Sequence, residues 1–339
     1  MGPACVVAGA GGFIGGHLVG SLLERGRNVR AIDVKPLTEW QQVHAHAENL
    51  SADLASRTAC DRLITEGAFV FNLAADMGGM GFIGSNDVAC LGNCEISLNL
   101  LRASADVGSP GYLFASSACV YPASRQVAGR VAGLTEEEAY PAEPPEGYGW
   151  EKLFAERLAR AFASERGLSV RLPRLHNVYG PKGTWSGGRE KAPAALTRKV
   201  VMAKLTGAPT VPIWGDGTQI RSFLHVDDCV RGLVGLALDS RFEAPINLGS
   251  DVAVTIEALF RLVCDLVGVV AAPAWQHGAP VGVASRIADV SLAESVLGWR
   301  PTTALRDGMK ALVDEVERRL DEVPRVRVVE AVRSGVWDL

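Results

Sequence analysis

A glycine turn close to the start of the sequence narrows the possible folds more than any other stretch. Gly9-Ala10-Gly11-Gly12-Phe13-Ile14-Gly15 follows a short β-branched run at 5–8 and opens a helical pattern over 15–25. Glycines at 9, 12 and 15 permit a tight turn, close approach of backbone to a pyrophosphate, and close packing of helix on strand. The helix start then offers amide donors and a positive partial charge to an anion. The spacing predicts a dinucleotide site with contacts from Gly9, Gly12, Phe13, Ile14 and Gly15. Asp33 ends the next strand, 29–33, where a carboxylate can accept from both ribose hydroxyls of NAD and would repel the 2′-phosphate of NADP.

Further strands are expected at 69–73, 112–116 and 169–175, with helices at 90–105 and 151–165 between them. Alternation of this kind implies parallel strands joined by right-handed crossovers, hence an α/β doubly wound parallel sheet of Rossmann type. With 339 residues the chain has room for a second, smaller α/β domain. We read 1–175 as the NAD-binding domain, with 218–248 returning to it. Residues 176–217 and 249–339 form the substrate-binding domain.

Composition excludes other classes. The chain carries 34 basic and 38 acidic residues, a net charge of −4, which disfavours nucleic acid as a partner. Seven scattered cysteines without a C-x-x-C pair argue against a disulfide framework or a zinc ribbon, so no metal and a cytoplasmic location are expected. No run is long and apolar enough for a membrane span, and residues 1–16 lack the basic start of a signal peptide.

Tyr148-Gly149-Trp150-Glu151-Lys152 places a phenol and an ammonium on one helix face. A nearby cation favours the phenolate, which makes Tyr148 a candidate base for a hydroxyl proton. Ser117, following the strand at 112–116, can hydrogen-bond the same oxygen. The three residues resemble the short-chain dehydrogenase/reductases, and the glycine pattern with a later substrate domain resembles their extended branch. Cys119 and Lys191 have no place in simple redox chemistry, and each alone reads as an ordinary buried thiol or a solvated lysine.

Longer segments carry a narrower resemblance. Asn72-Leu73-Ala74-Ala75-Asp76-Met77-Gly78-Gly79-Met80-Gly81-Phe82-Ile83, Ser116-Ser117-Ala118-Cys119-Val120-Tyr121-Pro122 and Gly183-Thr184-Trp185-Ser186-Gly187-Gly188-Arg189-Glu190-Lys191-Ala192-Pro193 are similar to the GDP-mannose 3,5-epimerase family. His176-Asn177-Val178-Tyr179-Gly180-Pro181 and Trp214-Gly215-Asp216-Gly217 agree with it too. The likeness extends from about residue 5 to Trp299 and leaves 323–339 unmatched. It also departs at Ala284 and at Ile287-Ala288.

The resemblance implies Tyr148 with Lys152 and Ser117 for oxidation at the sugar C4, and Cys119 with Lys191 as an acid/base pair. It implies NAD contacts at Asp33, Asp53, Leu54, Ala74 and Ala75, besides Tyr148 and Lys152. Substrate contacts would fall on Gly78, Ser117, Ala118, Cys119, Asn177, Glu190, Lys191, Ala192, Lys199, Gln219, Arg221 and Arg286, with Lys199, Arg221 and Arg286 serving the diphosphate. Implied partners are a GDP-sugar and, as is common in this family, a second copy of the chain.

A ketone at C4 acidifies the hydrogens at C3 and C5, which no side chain could otherwise remove. The expected activity is therefore NAD-dependent epimerisation with the cofactor recycled. A related nucleotide-sugar 4-epimerase or dehydratase is the alternative, and it would have no use for Cys119 with Lys191. A non-catalytic NAD-sensing protein is a third reading, which the intact Ser117, Tyr148 and Lys152 oppose.

Overall fold

All four residues of β1 (Cys5–Ala8) are buried, so the strand is covered on both faces. The computed structural model describes residues 5–339, and the first four residues of the apolar start lie outside it. From β1 the chain runs through the glycine turn into α1 (Phe13–Glu24) and β2 (Val29–Asp33). There follow β3 (Glu48–Ser51), α2 (Arg57–Leu63), β4 (Phe69–Asn72), the single turn α3 (Met80–Ile83) and α4 (Asp87–Asp106). Then come β5 (Tyr112–Phe114), β6 (Ser116–Ser117), α5 (Gly147–Arg166) and β7 (Val170–Leu175).

The second part begins with β8 (Val178–Tyr179), α6 (Ala192–Thr206), β9 (Thr210–Trp214), β10 (Ile220–Arg221) and β11 (Leu224–His225). It continues with α7 (Val226–Val234), β12 (Pro245–Leu248), β13 (Val254–Thr255), α8 (Ile256–Val267) and β14 (Ala272–Gln276). The last elements are β15 (Ser285–Arg286), α9 (Ser291–Leu297), α10 (Leu305–Asp321) and α11 (Arg325–Arg333).

The main sheet has the order β3-β2-β1-β4-β5-β7-β12, wholly parallel, with β6 pairing further along β7. This is the expected doubly wound α/β architecture. The order reverses between β1 and β4, which opens a crevice beyond their carboxyl ends. Strand alternation divides β1 between two cores. Cys5 and Val7 join Leu18, Leu22, Phe71 and Leu233 on one face. Val6 and Ala8 join Ile32, Val70, Leu100 and Tyr112 on the other. Ala288, Val290, Ala293 and Trp299 pack into the first of these cores, beside α1 and α7. A separate core unites α6, α8 and α10 through Val200, Leu259, Phe260 and Val316, with Trp337 inserted among them.

Two differences from the expected elements have plain causes. β3 lies at the sheet edge and exposes both its end residues, so it lacks the apolar run that marks inner strands. The strand expected over 112–116 breaks at Ala115, whose amide donates to Asn72 O. Ser116 and Ser117 then pair with Arg174 and Leu175 instead. Helix ends follow glycine: α5, α6, α8 and α9 stop at Gly167, Gly207, Gly268 and Gly298, all left-handed.

Candidate active site

The glycine turn is built for close approach. A Cβ on Gly15 would lie 2.1 Å from Gly9 O, so no other residue lets α1 meet the turn this closely. Gly12 precedes α1 without any side-chain cap, which leaves the first amides of the helix for an anion. Asp33 is buried at the end of β2, and its Oδ1 accepts from Lys35 N at 3.1 Å. Ala52 N donates to Asp33 O, which brings Asp53 and Leu54 alongside it. Asp53 is exposed and turns the chain by accepting from Ala55 N, whereas Leu54 is buried. Ala74 and Ala75 follow β4 on the other side of the crevice. These residues fit a dinucleotide. Lys35 and Trp40 were missed by the sequence reading. Lys35 Nζ donates to Gly11 O at 2.9 Å and Trp40 packs against Gly11, so both fix the turn from outside.

A cavity of about 440 Å³ lies beyond this crevice, between the main sheet and the second part of the chain. It is lined by Gly78, Ser117, Ala118, Cys119, Tyr148 and Asn177, together with Glu190, Lys191, Ala192, Lys199, Gln219, Arg221 and Arg286. All the expected substrate contacts therefore face one space.

Tyr148 reaches it because α5 approaches the Cys119 turn closely. A Cβ on Gly149 would stand 2.2 Å from Cys119 O. Tyr148 is hydrogen-bonded to Ser117, whose Oγ also accepts from Cys119 N at 3.2 Å. Lys152 Nζ lies 5.4 Å from the centre of the Tyr148 ring and 4.6 Å from that of Phe114. Burial pushes Tyr148 well above its ordinary value, Cys119 and Glu151 act in the same direction, and the Ser117 hydrogen bond opposes them. Lys152 is itself paired at 3.5 Å with Glu151, a wholly buried carboxylate that the sequence reading did not consider. Burial pushes the Glu151 carboxyl up, with Lys152 working against it.

Cys119 is buried beside Arg286, whose NH1 donates to Sγ at 3.2 Å and whose Nε donates to Gln126 Oε1 at 2.5 Å. The arginine expected on the diphosphate thus stands against the thiol. Arg221 donates from Nη1 to Ile220 O and from Nη2 to Val281 O and Val283 O, which shapes the loop before β15. Burial lowers it to about 10, aided by Arg286. Lys199 Nζ donates to Pro212 O, and burial lowers its ammonium to about 8. Burial also lowers Lys191, and Cys119 raises it in part. The two groups are therefore near enough for their charges to act on each other. Asn177, held by Nδ2 donation to Ser222 O, completes the wall. Glu190 Oε2 and Gln219 Oε1 are buried acceptors that find no donor among the described residues.

Among those residues no group of three side chains suited to a metal ion is present, and no helix is long and apolar enough to cross a membrane. All seven cysteines are unpaired.

Comparisons with known proteins agree with this geometry. Residues 5–249 match the model of the NAD dependent epimerase/dehydratase family. GDP-mannose 3,5-epimerase 1 of Oryza sativa subsp. indica is 41% identical over 306 residues, 90% of this chain and 79% of the relative. Among solved structures, MoeE5 in complex with UDP-glucuronic acid and NAD superposes with a TM-score of 0.79 at 33% identity, over 93% of this chain and 99% of that one. The UDP-glucose 4-epimerase of Thermotoga maritima gives 0.82 at 26% identity, over 94% and 99%. With the family model matched over residues 5–249 and a relative 41% identical across 90% of the chain, the chain belongs to the NAD-dependent epimerase/dehydratase family, with NAD as its cofactor.

Proposed function

We propose that the chain epimerises a GDP-hexose at C3 and C5, the reaction named for its rice relative. One observation carries the reading: Cys119 and Lys191 line the same cavity as Ser117 and Tyr148. The glycine turn and Asp33 would hold NAD, which would supply the hydride acceptor and donor for the sugar C4. Tyr148 takes the O4 proton and later gives it back, while Ser117 holds the phenol in place. The C4 ketone makes the hydrogens at C3 and C5 acidic enough for side chains to move. Cys119, as a thiolate beside the Arg286 guanidinium, removes a proton from one face and becomes the neutral thiol. Lys191, its ammonium made more acidic by burial, delivers a proton to the opposite face.

Lys199 and Arg221 lie in the same cavity and serve the diphosphate. The unsatisfied acceptors on Glu190 and Gln219 suit the N–H and O–H donors of a guanine base and a hexose. The chain divides by task, with NAD over the main sheet and nucleotide sugar against α6, β9 and the loop before β15. Unpaired cysteines fit a reducing, cytoplasmic setting. Apolar side chains exposed on α4 and α5 fit a homodimer.

Incubation with GDP-mannose in deuterated water is expected to label C3 and C5 of the recovered sugar, read by NMR. Cys119→Ala is expected to keep transient NADH formation and stop the labelling. Inversion at C4 with label at neither carbon would replace this reading with that of a 4-epimerase. A parallel screen of GDP-, UDP-, ADP- and dTDP-sugars fixes the nucleotide.

A further inference from the structure

Lys191 follows a loop that does not hold its own shape. Gly187 and Gly188 are both left-handed, at φ of 90° and 78°, and a Cβ on either would meet nothing within 4 Å. Two consecutive residues of this kind lose much conformational entropy on ordering and gain no packing in return. The loop must therefore be fixed from outside, or the ammonium at its end would not keep one position.

One anchor is the segment at residues 334–339. Asp338 Oδ1 accepts from Ser186 Oγ at 2.7 Å and from Gly187 N at 3.1 Å. The same oxygen pairs at 2.9 Å with Arg198, a guanidinium almost wholly buried. Arg198 also donates to Glu190 Oε1 and Trp185 O, both at 2.7 Å, and to Trp337 O at 3.1 Å. Trp337 is buried in the core shared by α6, α8 and α10, so the segment is itself secured. Asp338 and Arg198 thus grip the loop at residues 185, 186, 187 and 190, and residue 191 begins directly beyond. Asp338 also lines the cavity.

We propose that Asp338 is a positioning residue for Lys191: through Ser186, Gly187 and the Arg198–Glu190 pair it sets where the proton donor stands over the sugar. This rests on the proposed epimerisation for its catalytic consequence, and on geometry alone for its structural one. Asp338 touches none of Ser117, Tyr148 or Lys152, so the C4 oxidation is expected to proceed without it.

The test uses the full chain with NAD and the variants Asp338→Ala and Asp338→Asn. In Asp338→Ala, deuterium entry at C3 and C5 should fall roughly 100-fold, the scale of a misplacement of about 1 Å. Transient NADH formation at saturating substrate should stay within about 2-fold, because the C4 step uses other residues and any weaker grip through Glu190 is overcome by saturation. Asp338→Asn keeps an acceptor for Ser186 and Gly187 and should recover part of the loss. Amide hydrogen exchange by mass spectrometry reads the loop without any substrate, and residues 184–191 should exchange faster in Asp338→Ala. Unchanged loop exchange would overturn the proposal, as would an equal fall in both chemical steps. If the unaltered chain turns over no nucleotide sugar, the epimerase reading fails, while loop exchange still decides whether Asp338 holds the loop.

Discussion

Lys199 illustrates how a side chain's surroundings turn into an observable. Its ammonium, lowered to about 8 by burial, loses its charge as the pH rises through that value. A neutral amine binds a diphosphate weakly, so kcat/KM, which reports the free enzyme, should decline above pH 8 by up to about tenfold per unit. Lys199→Arg keeps its charge throughout and should remove the part of that fall due to Lys199, leaving the part due to Lys191 and the acidic limb in place. A profile that stays level to pH 9.5 in the unaltered chain would remove Lys199 from the phosphate site. At this scale the sequence was informative wherever a residue lies in a short motif, as with Asp33, Tyr148, Lys152, Cys119 and Lys191. It was silent on Gln126, Arg198 and Asp338, whose importance comes from contacts between distant parts of the chain. Spacing shows that a lysine is near, but not how dry the phenol is.

At the scale of elements, the start of α5 is where the proposed C4 chemistry can be tested. The helix can bring Tyr148 to Ser117 only because Gly149 has no Cβ, which would strike Cys119 O and stand 2.7 Å from Pro144 Cβ. Gly149→Ala must push helix and turn apart. Stopped-flow absorbance should show the first hydride transfer slowed about 100-fold, since displacements near 1 Å have that effect. Far-UV circular dichroism should stay unchanged, because alanine favours helix. A rate equal to that of the unaltered chain would show that the turn yields freely. Elements whose apolar runs face two cores, such as β1 and β4, were legible from pattern alone. β3 was not, since an edge strand needs no such run, and β6 was not, since two residues form no period.

For the whole molecule, the exposed face of α4 and α5 stands out. Val88, Leu91, Trp150 and Phe154 are 88%, 45%, 47% and 52% exposed on two helices that pack side by side. Water contact over such a face favours burial against a second copy. Sedimentation is expected to show a dimer, and Trp150→Glu with Phe154→Glu is expected to yield monomers. A monomer in the unaltered chain would refute the assembly. The doubly wound topology could be inferred from strand and helix alternation, and 218–248 was read as returning to the first part, but the still later return of α9 to the core under the main sheet was not. β12 completes the main sheet only after α6, β9 and α7 have been made, and α9 packs beneath that sheet later still. No stretch that ends before Trp299 contains a finished cofactor half. Exchange of substrate halves between related genes therefore needs several matched junctions at once, so new sugar specificities in a chain wired this way are more accessible through changes within its loops than through the shuffling of whole modules.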